Sequence, residues 1–179
     1  MATIYIPEAA NIFVGDAGPD NSKHLKLVEV TIPDLEEKTI EHHAGGSIGA
    51  VNIGGLGLNP LEFNFKLVGV DPQSMAQFGL GGTGQLPYTI LGAVRDKQTG
   101  KAIALKVLAT GRMTKVASGA IKRGDASDQT FTIKEITLFA LYWNAVELWY
   151  YDFFASIWRV NGVDQYADVN SILQISGGG

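Results

Sequence analysis

The stretch Leu61–Leu67 reads LEFNFKL, and its strict alternation constrains the fold more than any other segment. Leu61, Phe63, Phe65 and Leu67 fall on one face of an extended chain, with Glu62, Asn64 and Lys66 on the other. A period of two over seven residues specifies a half-buried strand. Similar runs predict strands at Asn11–Gly15, His24–Ile32, Pro87–Asp96, Ala102–Lys115, Gln129–Tyr142 and Val146–Ile157, with a more polar one at Leu35–His43. DKQTGK and WNA fit short hairpin turns, and SGAIKRGDASDQ a longer polar loop. The fold class is therefore mainly β, with two helices. One is short, after Asp71, which caps it ahead of Pro72, with Gly79 to end it. The other is C-terminal, with Tyr166, Val169, Ile172 and Leu173 expected to pack on the sheets.

No repeat or linker divides the 179 residues, so residues 1–179 are read as one domain. With 14 Lys and Arg against 18 acidic residues, a net charge of −4 offers no general grip on nucleic acid. The absence of cysteine removes thiolate chemistry, iron–sulfur clusters and disulfides. The first residues lack the pattern of a signal peptide, which predicts synthesis in a cytoplasm. The apolar region Ile136–Val160 is interrupted by Asn144, Glu147, Asp152 and Arg159, so no stable membrane insertion is expected.

The second unusual stretch is His42–Leu58, HHAGGSIGAVNIGGLGL, with six glycines. It lacks the Gly-Lys-Ser/Thr of a phosphate loop and the strand–glycine–helix unit of a dinucleotide fold. His42 and His43 point to opposite faces of a strand and do not share a metal readily. Ser47, in GGSIG, is offset from a nucleophile elbow. Glu36 with Glu37, and Glu147 with Asp152, read as exposed strand charges rather than a hydrolytic pair. No catalytic residue, cofactor site or metal site is assigned, and the chain is not read as an enzyme. The glycines loosen this backbone, while Ile48, Val51, Ile53, Leu56 and Leu58 are costly to leave in water. A flexible arm that orders on a neighbouring copy satisfies both. The aromatic segment after Val146 adds a candidate subunit contact through Trp149, Tyr151 and Phe153 on one strand face, with Tyr150 and Phe154 on the other.

Four motifs then resemble one family in its own order: IPEAANIFVGD (Ile6–Asp16), AGGSIGAVNI (Ala44–Ile53), KRGDASDQTFTI (Lys122–Ile133) and WRVNGVDQYADV (Trp158–Val169). The chain is similar to the major tail tube proteins of contractile-tailed bacteriophages, departing mainly at Ala140–Tyr151, which is more aromatic. The resemblance implies a β-sandwich or barrel-like subunit with a flanking helix, assembling into hexameric rings stacked into a hollow tube inside a contractile sheath, with strands of six subunits joined into one β-barrel around the channel. It implies an N-terminal arm at about 1–10 and a stacking loop at about 42–60. His43, Ala44, Gly45, Gly46, Ser47, Ile48, Gly49, Ala50, Val51 and Ile53 of that loop would reach an adjacent ring. Glu36, Glu41 and Glu62 are candidates for a lumen that lets DNA pass without sticking. Implied partners are the tail sheath, tape-measure, and baseplate or tail-terminator proteins, in a virion assembled in the host cytoplasm. The tube of a phage-tail-like bacteriocin or a secretion needle is the related alternative, and a glycan-binding virion module a more distant one.

Overall fold

The alternating segment forms the inner rib of the molecule. In the computed structural model, which describes residues 3–80, 84–124 and 126–175, Leu61, Phe63, Phe65 and Leu67 are all buried, while Glu62 faces out. In chain order the strands are β1 (Tyr5–Val14), β2 (Leu27–Val30), β3 (Ile40–His42), β4 (Val51–Ile53), β5 (Phe63–Val68), β6 (Leu86–Asp96), β7 (Ala102–Ser118), β8 (Asp128–Trp143), β9 (Val146–Asp152), β10 (Ile157–Val160) and β11 (Val163–Asp164). The helices are α1 (Pro72–Met75) and α2 (Ala167–Ile172).

Nine of these strands make one antiparallel sheet, running β1-β6-β7-β8-β9-β10-β11 with β5 and β2 branching from β8. The branch exists because β8 changes partner along its length. Its first half, Asp128–Ile133, pairs with β5; its second, Leu138–Trp143, pairs with β9; β7 follows the other edge throughout. At the changeover Glu135 has a positive φ of 52°, and the register against β7 shifts beside Thr110 and again beside Met113. Such bulges bend a strand and sharpen its twist. Gly111 lies at this bend, where a Cβ would stand 3.0 Å from Ile133 Cγ2 and from Lys134 O.

The bend carries β2 round to β1, where Phe13 bridges Ser22 and Lys23 N donates to Ile12 O at 2.9 Å. Strands β1, β6, β7, β8, β5 and β2 thereby wrap a barrel-like shell. Inside it lie Ile12, Phe63, Phe65, Tyr88, Val107, Phe131, Ile133 and Phe139, with Phe65 stacked on Phe131 at 4.8 Å. Burial of each such side chain contributes about 1.5–3 kcal/mol. The shell is closed at one corner by charge: Asp71, the cap of α1, accepts from Ser74 N at 3.2 Å and pairs with Lys23 at 3.0 Å and Lys26 at 2.7 Å. Burial works to raise the Asp71 carboxyl, but the hydrogen bonds from Lys26, Ser74 and Lys23 outweigh it and hold the group far below the usual range.

The expected hairpins are present, the β8–β9 turn using Asn144 and Ala145 with φ of 49° and 66°. Other expectations need correction. The strand predicted at Val146–Ile157 breaks after Asp152, whose Oδ1 accepts from Ala155 N at 3.0 Å while Ser156 takes a φ of 56°. The strand predicted from His24 begins at Leu27, because Lys26 N and Leu27 N turn back onto Lys23 O. Within Leu35–His43 only Ile40–His42 is a strand. Of the N-terminal arm placed at 1–10, Met1 and Ala2 lie outside the described residues, and Tyr5–Ala10 belong to β1, paired to β6 from Asp96 onward. Helix α2 spans six residues and does not lay its apolar stripe on the sheet. It is held through Asn170, whose Nδ2 donates to Ser156 O at 2.7 Å, leaving Ile172 81% exposed and Val169 and Leu173 exposed too.

Candidate assembly surface

Between β2 and β5 the chain leaves the shell and returns, and the glycine-rich stretch is this excursion. Strands β3 and β4 pair with each other, Ile40 opposite Ile53, Glu41 opposite Asn52 and His42 opposite Val51, and form a two-stranded sheet separate from the main one. The flexible arm expected here carries a short ribbon: Ile53 faces Ile40 and Val51 faces His42, while Ile48 lies beyond the paired residues at the tip. The tip runs from His43 through Ala50. There Ser47 N donates to Ala44 O at 2.9 Å and Ser47 Oγ to Gly49 O at 2.8 Å. Around Gly45, Gly46 and Gly49 there is open space.

Both faces of this ribbon are in water. Ile40, Val51 and Ile53 are exposed, and Ile48 at the tip is fully so. A two-stranded ribbon without a covered face is marginal on its own, and a contiguous exposed apolar patch marks an interaction surface. The remaining glycines of the stretch shape the base. Gly55 and Gly57 have φ of 80° and 96°, Lys38 N donates to Gly57 O at 2.8 Å, and Asn59 N donates to Glu36 O at 2.8 Å. Gly55 N donates to the Glu37 carboxylate, and a Cβ on Gly54 would lie 2.9 Å from Glu37 Oε2. This close packing on a carboxylate is the opposite of a phosphate cradle.

The ribbon base stands over the β9–β10 turn, leaving a cleft of about 760 Å³ lined by Leu35, Glu37 and Leu58 on one side and Tyr151, Phe153, Trp158 and Val169 on the other. The three aromatics predicted as a subunit contact separate here. Trp149 and Tyr151 rest half-buried against the core, Tyr151 edge-on to Trp158 at 6.4 Å. Phe153 projects from the turn beside an exposed Phe154. Tyr151 and Phe153 line the cleft, and Trp149 does not. On the opposite sheet face the Arg159 guanidinium sits 4.0 Å from the Tyr150 ring and is clamped by both Glu147 oxygens at 3.0 Å.

The three glutamates assigned to a lumen are not gathered into one row. Glu36 and Glu41 lie on the excursion, exposed, whereas Glu62 enters β5 and pairs with Lys134 at 2.8 Å. His42 and His43 are exposed on the ribbon, and His24 is bonded to Ser22 Oγ at 3.0 Å near β1. Among the described residues no three His, Asp or Glu side chains converge on a metal-sized site, and no helix is long and apolar enough to cross a membrane. One exposed apolar residue carries no signal in the pattern of the sequence. Ile121 is a lone isoleucine in the polar β7–β8 loop and is 88% exposed, with Lys122 and Arg123 beside it.

Comparison with known proteins agrees with an assembly subunit. Residues 9–173 match the family described as phage tail tube protein FII. The tail tube protein of Escherichia phage P2 is 27% identical over 138 residues, covering 76% of this chain and 80% of that one. The fold is similar to a chain of the sheath–tube complex of an extracellular contractile injection system, with a TM-score of 0.52 at 15% identity over 75% of this chain and 88% of that one. It is also similar to a chain of the tube-terminating cap of the anti-feeding prophage, with a TM-score of 0.51 at 14% identity over 75% and 89%. The match takes in the shell, the ribbon and the cleft alike, and the chain belongs to the phage tail tube protein FII family, as a structural tube subunit of a contractile phage tail or related injection system.

Proposed function

We propose that copies of this chain close into hexameric rings that stack into a hollow tube, with the ribbon His43–Ile53 reaching a copy in the adjacent ring. The observation that carries this reading is the ribbon itself, with Ile40, Val51 and Ile53 on one uncovered face and Ile48 exposed at the tip, on a chain of the tail tube family. Residues 1–179 act as one domain. The outer edge of β1 before Ile12 and the short β11 at the far end of the sheet are the strand edges that ring closure would cover. Phe153 and Tyr151 supply subunit contact at the cleft.

In the assembled tube Glu36, Glu41 and Glu62 face the channel and keep it from holding the phosphates of passing DNA, Glu62 the least because Lys134 neutralises it. The subunit supplies contacts and a conduit, and performs no catalysis. Solved chains of similar fold come from sheath–tube, terminator, cap and baseplate assemblies, which supports a sheath outside the tube and terminating components at its ends. A tape-measure protein sets its length. The particle is a virion assembled in the host cytoplasm. The same likenesses support a second reading, the tube of an extracellular injection particle that carries no genome.

Electron microscopy of the purified protein tests the proposal. Six-fold rings or tubes are the expected images; a persistent monomer with measurable affinity for glycans would instead make it a binding module.

A further inference from the structure

The loop carrying Ile121 and the cleft under the ribbon lie at different levels of β8. The loop is closed at the start of that strand, where Gly119 N donates to Asp128 O at 2.8 Å and Gly69 N to Ser127 O at 2.6 Å. The cleft begins where Asp152 pairs with Leu138. Asp128 and Leu138 are ten positions apart, a path of about 30 Å along the strand, and no described residue of the loop lines the cleft of its own chain.

Their chemistries are complementary. Beyond its base the loop offers one exposed isoleucine flanked by two cations, Lys122 and Arg123, neither of them in an ion pair among the described residues. The cleft has apolar walls, notably Leu58, Trp158 and Val169, with Glu37 and Asp152 and no Lys, Arg or His in its lining. Each of these carboxylates accepts a backbone N–H, from Gly55 and Ala155, and neither is in an ion pair among the described residues.

We propose that the cleft is the seat for the Ile121–Arg123 loop of a second copy. Ile121 enters between Leu58, Trp158 and Val169, while Lys122 and Arg123 lie against Glu37 and Asp152. The inference rests on the tube-subunit reading and adds to it the surfaces that meet. Because they are two different patches of one chain, the contact is head-to-tail: it closes into a ring or propagates along a stack, and is not a two-fold dimer. The charges fix which way the loop enters.

The chain has no cysteine, so an engineered pair reports alone. Full-length I121C/V169C, assembled and treated with a short bis-maleimide, is expected to run on a denaturing gel as a ladder in steps of 19.2 kDa. I121C/Q165C carries the same test should the first pair fold poorly, as judged by circular dichroism. Adding K122E and R123E should reduce the ladder at least tenfold. If the protein forms tubes yet neither pair cross-links, or only I48C/V169C does, the docking is overturned and the tube reading stands. If the wild-type chain forms no rings or tubes in micrographs, the tube reading fails and takes the docking with it. A ladder unchanged by the charge reversals also overturns the proposed seat.

Discussion

Lys23 Nζ lies 3.0 Å from Asp71 Oδ2, with both side chains almost wholly withdrawn from water. This pair ties the chain after β1 to the start of α1, and Gln73 Oε1 takes a further hydrogen bond from Lys23 at 2.7 Å. Asp71→Ala leaves the Lys23 ammonium buried without its anion, which is expected to cost about 3–5 kcal/mol. Lys23→Met should cost less, since Asp71 keeps Lys26 and Ser74. Denaturant midpoints at constant slope check both.

Acid should weaken the fold in a defined window. Hydrogen bonds from the hydroxyls of Thr3 and Thr99, and from the backbone at Gln98 and Thr99, hold the Asp96 carboxyl down at about 2 against an ordinary 3.8, and Asp71 is depressed as well. A carboxylate with a lowered folded pKa contributes stability that is complete above its unfolded pKa and is lost as pH falls through the folded value. Stability should therefore be flat above about pH 5 and decline between about pH 4 and 2. Asp96→Asn is expected to flatten part of that decline in unfolding curves taken across the range.

Valine at Gly45 and Gly46 should spare the subunit and damage the assembly. Neither glycine needs a positive φ, and the space around each is open. The melting transition should stay within about 0.5 kcal/mol of wild type. Tubes, measured by sedimentation and microscopy, should be shorter or absent, as with deletion of Ser47–Gly55. Folded variants with tubes of normal length would remove the stacking role from the ribbon tip.

Gly111→Ala should do the reverse. Its Cβ would press on Ile133, on the carbonyl of Lys134 and on Ile136 at 3.0–3.1 Å, inside the bend of the sheet. A loss of about 1–3 kcal/mol is expected from overpacking, visible in the free subunit by thermal unfolding.

The sequence made the shell legible wherever one face is buried. LEFNFKL placed Phe63, Phe65 and Leu67 in the core, and Asp71-Pro72 marked α1, because alternation and capping are local signals. The break after Asp152 was hidden because it depends on one side-chain acceptor and on Ser156 adopting a left-handed backbone, which the aromatic run around them does not announce. The apolar stripe of α2 was visible, but periodicity says that a face will be covered and not by what; within one chain it stays open. The same limit applied to the assembly surface. Val51 and Ile53 are legible as apolar, while their pairing with His42 and Ile40 is not, because those partners lie in a polar segment expected to be one strand over Leu35–His43.

The shared strand β8 also sets an order of events. Strands β6 to β10 follow one another in sequence and, apart from the longer β7–β8 loop, are joined by short connections, so neighbours are expected to zip in succession, whereas β5 joins β8 and β1 joins β6 only after longer separations close. The meander is thus the template on which the two ends of the chain condense. The ribbon lies inside one of those late-closing loops and outside the sheet, so the surface best suited to capture a neighbour gains its anchorage only when β2 and β5 dock. A nascent chain is in this way slow to present its adhesive part before the body that must carry it exists.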